Sequence, residues 1–207
     1  MKKRILCYGD SNTWGANATD HARYADNTRW TGVLAKQLGS PYTLIEEGLN
    51  GRTTVHEDPT DPYRNGRDYL FPCLRSQQPL DLVILMLGTN DLKTRFSISA
   101  WDIADGVRAL AEIILASDAG RNNTAPKLLI MSPPPLVKTN LLPQFTGAVE
   151  KSKHLAKHYA DVAKTLGCHY FDASKVIKTS KLDGVHWDAS EHEVLGKKLT
   201  EVVKKLL

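Results

Sequence analysis

Residues 5–15 read ILCYGDSNTWG, a short apolar run that ends abruptly at Gly-Asp-Ser. Apolar and aromatic residues bounded in this way by turn-forming residues are typical of a buried strand. The strand is followed at once by Ser11, whose hydroxyl could close a turn, cap a helix or attack a carbonyl carbon. The choice among these roles depends on whether distant residues supply what a nucleophile needs.

The rest of the chain alternates short apolar runs with helical patterns. The runs that predict strands lie at residues 4–8, 42–45, 80–87, 127–131 and 169–171. Between and after them, stripes of apolar residues recur every three or four positions, as in amphipathic helices. The stripes begin at Trp30, Ile103, Leu155 and Leu195. Strands without strict polar alternation, separated by helices, predict an α/β fold with a doubly wound parallel sheet.

One domain accounts for all 207 residues, because compact domains commonly have this length. Residues 53–79 and 133–145 interrupt the alternation and are predicted to be loop insertions within that domain, the first with a short helix around 68–74. Long loops of this kind often form lids, pocket walls or contacts between subunits. We therefore expect the insertions to shape a site or an interface.

The composition narrows the possible partners. The chain is 42% hydrophobic and 24% charged, and its net charge of +4 is spread along the sequence, which does not indicate nucleic-acid binding. The apolar run after residues 1–4 is too short for an export signal, and no run approaches the ~18 apolar residues of a membrane span, so no membrane partner is expected. Cys7, Cys73 and Cys168 form no CxxC pair, and their odd number leaves at least one thiol unpaired, which favours a reducing, cytoplasmic location.

Polar turns that contain glycine follow the first three predicted strands. They lie at residues 9–11, 48–51 and 88–91. In a parallel sheet with the flavodoxin-like order 2-1-3-4-5, ligands bind beyond the carboxyl ends of the strands, between the first and third. We therefore expect the three turns to meet at one crevice, with the loop at 182–187 beside it.

An acyl-transferring serine needs a base, a group that orients the base, and donors for the oxyanion. Ser11 is the candidate nucleophile, His186 the general base and then general acid, and Asp183 the carboxylate that fixes the imidazole tautomer. The candidate oxyanion donors are the backbone N–H groups of Ser11 and Gly51 and the side-chain amide of Asn90. Each of these groups lies in or beside one of the turns expected at the crevice.

These motifs resemble the SGNH hydrolases of the GDSL type. The matching blocks, in the order of the family, are Gly-Asp-Ser at 9–11, Asn-Gly at 50–51, Gly-Thr-Asn-Asp at 88–91 and Asp-Gly-Val-His at 183–186. The resemblance implies a three-layer α/β/α fold with five strands, and Ser11, Gly51, Asn90 and His186 as signature residues with Asp183 completing the triad. Residues 13–15, 48–54 and 58–62 resemble the bacterial arylesterase and acyltransferase subgroup, which implies a homo-oligomer.

Two residues beside Ser11 are assigned to the substrate pocket. Asn12 replaces the leucine of the GDSL pattern, and it either alters the packing behind the nucleophile or contacts the substrate. Trp14 either packs in the core, as aromatic residues usually do, or forms a pocket wall that limits acyl length. Acyl specificity is therefore less well defined by the sequence than the mechanism is.

No metal site and no cofactor are predicted. His154 and His158 have the i, i+4 spacing that suits a metal, but lysines surround them and no third ligand is evident. His192 and Glu193 begin a HExxH pattern whose second histidine is missing. The remaining histidines outside the triad, His21, His56 and His169, receive no role. Motifs for nucleotide binding and for the nucleophile elbow of α/β-hydrolases are absent.

Together these features predict a metal-independent serine esterase that acts on small acyl esters through an acyl-enzyme, with water or an alcohol as the second acceptor. The same machinery would also serve a carbohydrate deacetylase, a lysophospholipase or a thioesterase. A different class, a non-catalytic flavodoxin-like module that binds a small ligand in the crevice, is the remaining alternative.

Overall fold

The computed structural model describes residues 1–139 and 142–207, so positions 140 and 141 of the predicted insertion 133–145 lie outside the described residues. Within them, five parallel strands form one sheet in the order 2-1-3-4-5, as predicted. The strands are β1 Lys3–Gly9, β2 Tyr42–Gly48, β3 Leu82–Met86, β4 Lys127–Ser132 and β5 His169–Asp172. The α-helices of the same residues are α1 Ser11–Trp14, α2 Trp30–Leu38, α3 Gly66–Gln77, α4 Ala100–Leu115, α5 Ala148–Ser152, α6 Leu155–Leu166 and α7 Ala189–Leu206.

Strand β1 lies between β2 and β3 in the sheet, and helices cover both of its faces. Ile5 and Cys7 pack into a core with α2 and α7, whereas Leu6 and Tyr8 pack into a second core with α3, α4 and α6. All four side chains are fully buried. Burial on both faces explains why the sequence of β1 lacks polar alternation, and it confirms the predicted three-layer arrangement.

Strand β2 is longer than predicted. The predicted strand stops at Ile45 because two glutamates follow, but β2 continues to Gly48. It is an edge strand, and the Glu46 carboxylate accepts hydrogen bonds from Arg29 Nη2 at 2.7 Å, from Arg29 Nε at 3.2 Å and from the Thr31 hydroxyl. Because Glu46 is paired with Arg29, which is 5% exposed, the strand does not hold an uncompensated charge.

The end of β2 lies directly against α1. A Cβ atom added at Gly48 would lie 2.1 Å from the backbone nitrogen of Trp14, so only glycine allows this close approach. Helix α3, inside the insertion 53–79, begins where the Asn65 side chain accepts the backbone N–H of Arg67. No helix among the described residues is both long enough and apolar enough to cross a membrane.

Candidate active site

The local structure after β1 places Ser11 at the start of a helix. Asp10 is the N-cap of α1, and its side chain accepts the backbone N–H of Asn12 at 3.0 Å. Burial raises the pKa of Asp10 to about 6. The helix ends at Gly15, whose φ of +93° is favourable only for glycine. Ser11 is thereby held at the carboxyl edge of the sheet, at the point where β1 ends.

Ser11, His186 and Asp183 form a continuous hydrogen-bonded row. The Nε2 atom of His186 lies 3.0 Å from Ser11 Oγ, and its Nδ1 atom lies 2.5 Å from Asp183 Oδ2. With Nδ1–H donating to the carboxylate, Nε2 accepts from the serine hydroxyl. This is the geometry of a nucleophile, a base and a group that orients the base.

The turn before α7 holds the histidine and the carboxylate together. Asp183 Oδ1 accepts the backbone N–H groups of Val185 and His186, both at 2.9 Å. Burial acts to raise the pKa of Asp183, but the hydrogen bonds from the His186 ring and from these N–H groups outweigh it and leave that pKa below its usual value. Asp183 is therefore ionised at neutral pH and can stabilise an imidazolium at His186.

The predicted oxyanion donors face the same cavity as the Ser11 hydroxyl. A cavity of about 350 Å³ is lined by Ser11, Gly51, Asn90 and His186, among others. Gly51 has a φ of +81°, and one N–H of the Asn90 amide donates to the Arg52 carbonyl at 3.0 Å, which fixes the side chain. Within the described residues, the backbone N–H groups of Ser11 and Gly51 have no hydrogen-bond partner. These groups can therefore donate to a substrate oxygen.

Asn12 and Trp14 do not line this cavity. Asn12 is 1% exposed, and its side-chain amide donates to the Val185 carbonyl at 3.3 Å. The Trp14 ring centroid lies 5.2 Å from the guanidinium carbon of Arg23. Asn12 instead connects the nucleophile helix to the turn that carries His186, which agrees with a packing role behind the nucleophile.

Asp91 connects two of the loops that form the site. It is fully buried and accepts the backbone N–H of Thr54 at 3.0 Å and the Thr54 hydroxyl at 2.6 Å, while its Oδ1 lies 2.9 Å from His56 Nδ1. The hydrogen bond to Asp91 raises the pKa of His56. Asp91 therefore joins the loop after β3, which carries Asn90, to the insertion at 53–79.

Sequence reasoning missed several residues of the cavity. Leu142 and Phe145 reach it from the insertion at 133–145, so part of that insertion is a pocket wall. Lys93 also lines the cavity, and its ammonium lies 3.4 Å from Asp58. His21, to which the sequence assigned no role, has Nε2 3.5 Å from Asp183 Oδ2. No motif marks these residues, because irregular loops bring them to the site.

Known proteins share this fold and site region. A model of the GDSL-like lipase/acylhydrolase family matches residues 7–193. The native aryl esterase of M. smegmatis has 46% sequence identity and a TM-score of 0.94, over 99% of this chain and 100% of that chain. Est24, a carbohydrate acetylesterase from Sinorhizobium meliloti, has 40% identity and a TM-score of 0.96, over 100% of both chains. No curated protein matches the chain in the corresponding comparison.

These similarities extend over the full length of both solved structures, so they include every block that carries the site. The SGNH-type resemblance that the sequence motifs indicated is therefore confirmed. With its Gly-Asp-Ser turn at the end of β1 and its strand order 2-1-3-4-5, the chain belongs to the GDSL-like lipase/acylhydrolase family.

Proposed function

We propose that this protein is a serine esterase that hydrolyses small acyl esters through an acyl-enzyme. The observation that carries the proposal is the contact of 3.0 Å between Ser11 Oγ and His186 Nε2 at the wall of a cavity that opens to solvent. A hydroxyl that already faces an accepting imidazole nitrogen needs only an ester carbonyl beside it to react.

The geometry accounts for each step of the reaction. His186 Nε2 removes the hydroxyl proton as Ser11 Oγ attacks the carbonyl carbon, and the oxygen that becomes negative accepts hydrogen bonds from the N–H groups of Ser11, Gly51 and Asn90. His186 then donates the proton to the leaving alcohol oxygen, which leaves an acyl-Ser11 ester. Water, deprotonated by His186, attacks that ester, and His186 returns the proton to Ser11 Oγ as the acyl–oxygen bond breaks and the carboxylic acid is released. Asp183 stabilises the imidazolium in both halves.

The size and lining of the cavity suit a substrate with a small acyl group. Its volume of about 350 Å³ lies at the lower end of ligand-binding cavities, and its wall mixes polar donors with Leu142 and Phe145. The similar solved structures include an aryl esterase and a carbohydrate acetylesterase. We therefore propose aryl acetates and acetylated sugars as the first substrates to test. Lysophospholipids, thioesters and longer acyl esters belong in the same panel as the alternatives.

The test is the hydrolysis of p-nitrophenyl acetate by the wild-type protein and by Ser11→Ala. We expect Ser11→Ala to lose about 10⁴-fold or more in kcat, because no hydroxyl remains to form the acyl-enzyme. Ser190→Ala, at an exposed serine of α7, is the matched control and should keep full activity. Circular dichroism checks that both variants are folded. Full activity of Ser11→Ala would refute the proposal.

Labelling with a fluorophosphonate separates the esterase from a module that only binds a ligand. An activated serine forms a covalent adduct at Ser11, whereas a binding module does not.

We further propose that an alcohol can replace water as the acyl acceptor, which rests on the subgroup resemblance. Product analysis with added alcohol decides this point, and acid as the sole product would contradict it.

We also propose self-association of the chain and a cytoplasmic location. Tyr63, Tyr69 and Phe71 on the insertion at 53–79 are 88%, 45% and 54% exposed, and they offer apolar surface for a contact between subunits. We propose that a second copy of the chain covers these rings, and a single species of 23.0 kDa in light scattering would contradict self-association.

The proposed cytoplasmic location rests on three cysteines that are all unpaired, and cell fractionation tests it.

A further inference from the structure

His21 brings a second imidazole to the carboxylate of the triad. Its Nε2 atom lies 3.5 Å from Asp183 Oδ2, and its ring centroid lies 5.2 Å from that of His186. One ligand atom from each of His21, Asp183 and His186 lies within 4.8 Å of the other two. Two imidazole nitrogens and a carboxylate oxygen form a ligand set that Zn²⁺ accepts, with a further position open to water.

We propose that His21, Asp183 and His186 form a binding site for Zn²⁺, and that an ion bound there inhibits the esterase. The inhibition rests on the proposed function, whereas the binding does not. The distance of 3.5 Å between His21 Nε2 and Asp183 Oδ2 is close to the separation of two ligand atoms that each lie about 2.1 Å from a tetrahedral zinc ion. These two groups therefore need little movement to share one ion.

The backbone around His21 is ordered by a closed turn. Asn17 Oδ1 accepts the backbone N–H groups of Thr19 and Asp20, and the Asp20 carboxylate accepts that of Ala22 at 2.8 Å. The N–H of His21 donates to the Asn17 carbonyl. The His21 side chain is 53% exposed, so an ion can reach it from solvent without any opening of the fold. The turn therefore holds the backbone of His21 beside Asp183 before an ion binds.

The charges around the cavity favour a cation at this position. The Lys93 ammonium lies 3.4 Å from Asp58, and the Asp61 carboxylate lies 3.0 Å from the Arg64 guanidinium, so these groups are already paired. Asp183 has hydrogen bonds from N–H groups and from imidazole but no lysine or arginine partner within the described residues. A buried carboxylate that faces only neutral donors gains most from a divalent cation.

Occupation of this site and catalysis exclude each other. His186 uses Nδ1 to hold Asp183 and Nε2 to accept from Ser11. A metal ion bound at either nitrogen displaces one of the two hydrogen bonds that the reaction requires. The imidazole then neither removes the hydroxyl proton nor returns it to the leaving group. The esterase is therefore inactive while the ion is bound, and a chelator restores it.

Binding is tested first, by isothermal titration of ZnCl₂ into the Ser11→Ala protein, which keeps all three ligands and does not depend on catalysis. We expect one ion per chain. Adding His21→Asn should weaken binding about tenfold or more, since loss of even an outer-shell partner costs that much. Asparagine is the chosen replacement because it tolerates the φ of +60° at position 21. His154→Asn is the matched control, because His154 is exposed and lies outside the proposed site. This variant should bind Zn²⁺ as tightly as the parent protein does.

Inhibition is tested second, with each variant compared to its own rate in the presence of EDTA. We expect Zn²⁺ to inhibit the wild-type esterase and the His154→Asn variant at the same concentration, and to inhibit His21→Asn only at about tenfold higher concentration or more. Equal zinc affinity with and without His21 would overturn the site. Binding at His21 without inhibition would overturn its effect on the reaction. A wild-type protein without esterase activity would refute the proposed function and leave the binding result intact.

Discussion

The Nε2 atom of His186 lies 3.0 Å from the Oγ atom of Ser11, although 175 positions separate the two residues in the chain. Ser11 follows β1, an inner strand of the sheet, and His186 lies in the turn before α7, the helix that packs beside α2. The carboxyl edge of a parallel sheet is where such distant segments meet. The chemistry of the site depends on this meeting, and the following predictions test its parts.

Replacement of Asp183 should remove most of the activity while leaving the nucleophile in place. In Asp183→Asn the amide no longer holds the imidazole in the tautomer that accepts from Ser11, nor does it stabilise the imidazolium. We expect kcat for p-nitrophenyl acetate to fall about 10⁴-fold. Asp188→Asn is the matched control, because the Asp188 side chain is exposed and makes no capping hydrogen bond to α7. Comparable activity of the two variants would contradict the assigned role.

Replacement of Asn90 should lower kcat more than it changes KM. Its free amide N–H is expected to bind the oxygen that becomes negative in the transition state, so Asn90→Ala should lose about 10²-fold to 10³-fold in kcat. Asn27→Ala, at an exposed asparagine, controls for the substitution itself. A rise in KM at unchanged kcat would instead assign Asn90 to binding of the ground state.

Replacement of Gly48 should disturb the nucleophile without touching it. The added Cβ would lie 2.1 Å from the backbone nitrogen of Trp14, so α1 must shift and carry Ser11 away from His186. We expect Gly48→Ala to lose about 1–3 kcal/mol of unfolding free energy and most of its activity. Urea denaturation and ester hydrolysis measure the two effects.

Gly167→Ala is the matched control for this change. Gly167 ends α6 with a φ of +67° and has open space around its Cα, so alanine there is strained by about 1–2 kcal/mol but displaces nothing. Its stability should fall by a similar amount while kcat stays unchanged. Parallel losses of activity in both variants would mean that Gly48 acts only through stability.

Buried His192 should make the fold sensitive to acid. Burial lowers the pKa of His192 to about 3, while the unfolded chain binds that proton near pH 6.5. The unfolded state therefore holds more protons below pH 6.5, and the free energy of unfolding falls as the pH falls. From pH 8 to pH 5 this one group removes about 2 kcal/mol.

The measurement compares urea denaturation at pH 8 and pH 5 for the wild-type protein and for His192→Gln. Glutamine can still accept the backbone N–H of Trp30, which donates to His192 Nδ1 at 3.3 Å. The variant should lose less stability on acidification than the wild type does. His154→Gln, at an exposed position, should follow the wild type. The same acid loss in all three proteins would contradict the assignment.

Much of the fold could be predicted because buried positions are occupied by apolar residues in recognisable patterns. The runs around Ile5 and Leu6 are apolar on both faces of a central strand, which indicates a parallel sheet and hence the edge at which a site forms. The end of β2 was missed because Glu46 reads as the end of a strand. The structure keeps it in the strand through its ion pair with Arg29, a partner that local sequence does not reveal.

The pocket was less accessible to sequence reasoning than the reacting groups. Asn12 and Trp14 are neighbours of Ser11 in the chain and were assigned to the pocket for that reason. Successive residues of a helix point in different directions, so α1 turns Asn12 into the interior and Trp14 toward Arg23. Phe145 reaches the cavity instead, from an insertion whose path no local pattern specifies.

The sequence by itself determined the parallel α/β class, the reacting groups and the turns that carry them: Gly-Asp-Ser after β1, Gly-Thr-Asn-Asp after β3, and Asp183 three positions before His186. Short-range stereochemistry and burial set these features, so they remain visible in the residues. The strand order followed from the resemblance to the SGNH family. Only the tertiary structure decided which loops close the cavity and that His21 reaches Asp183. Loop paths depend on many weak contacts between segments far apart in the chain, and no single residue type records their sum.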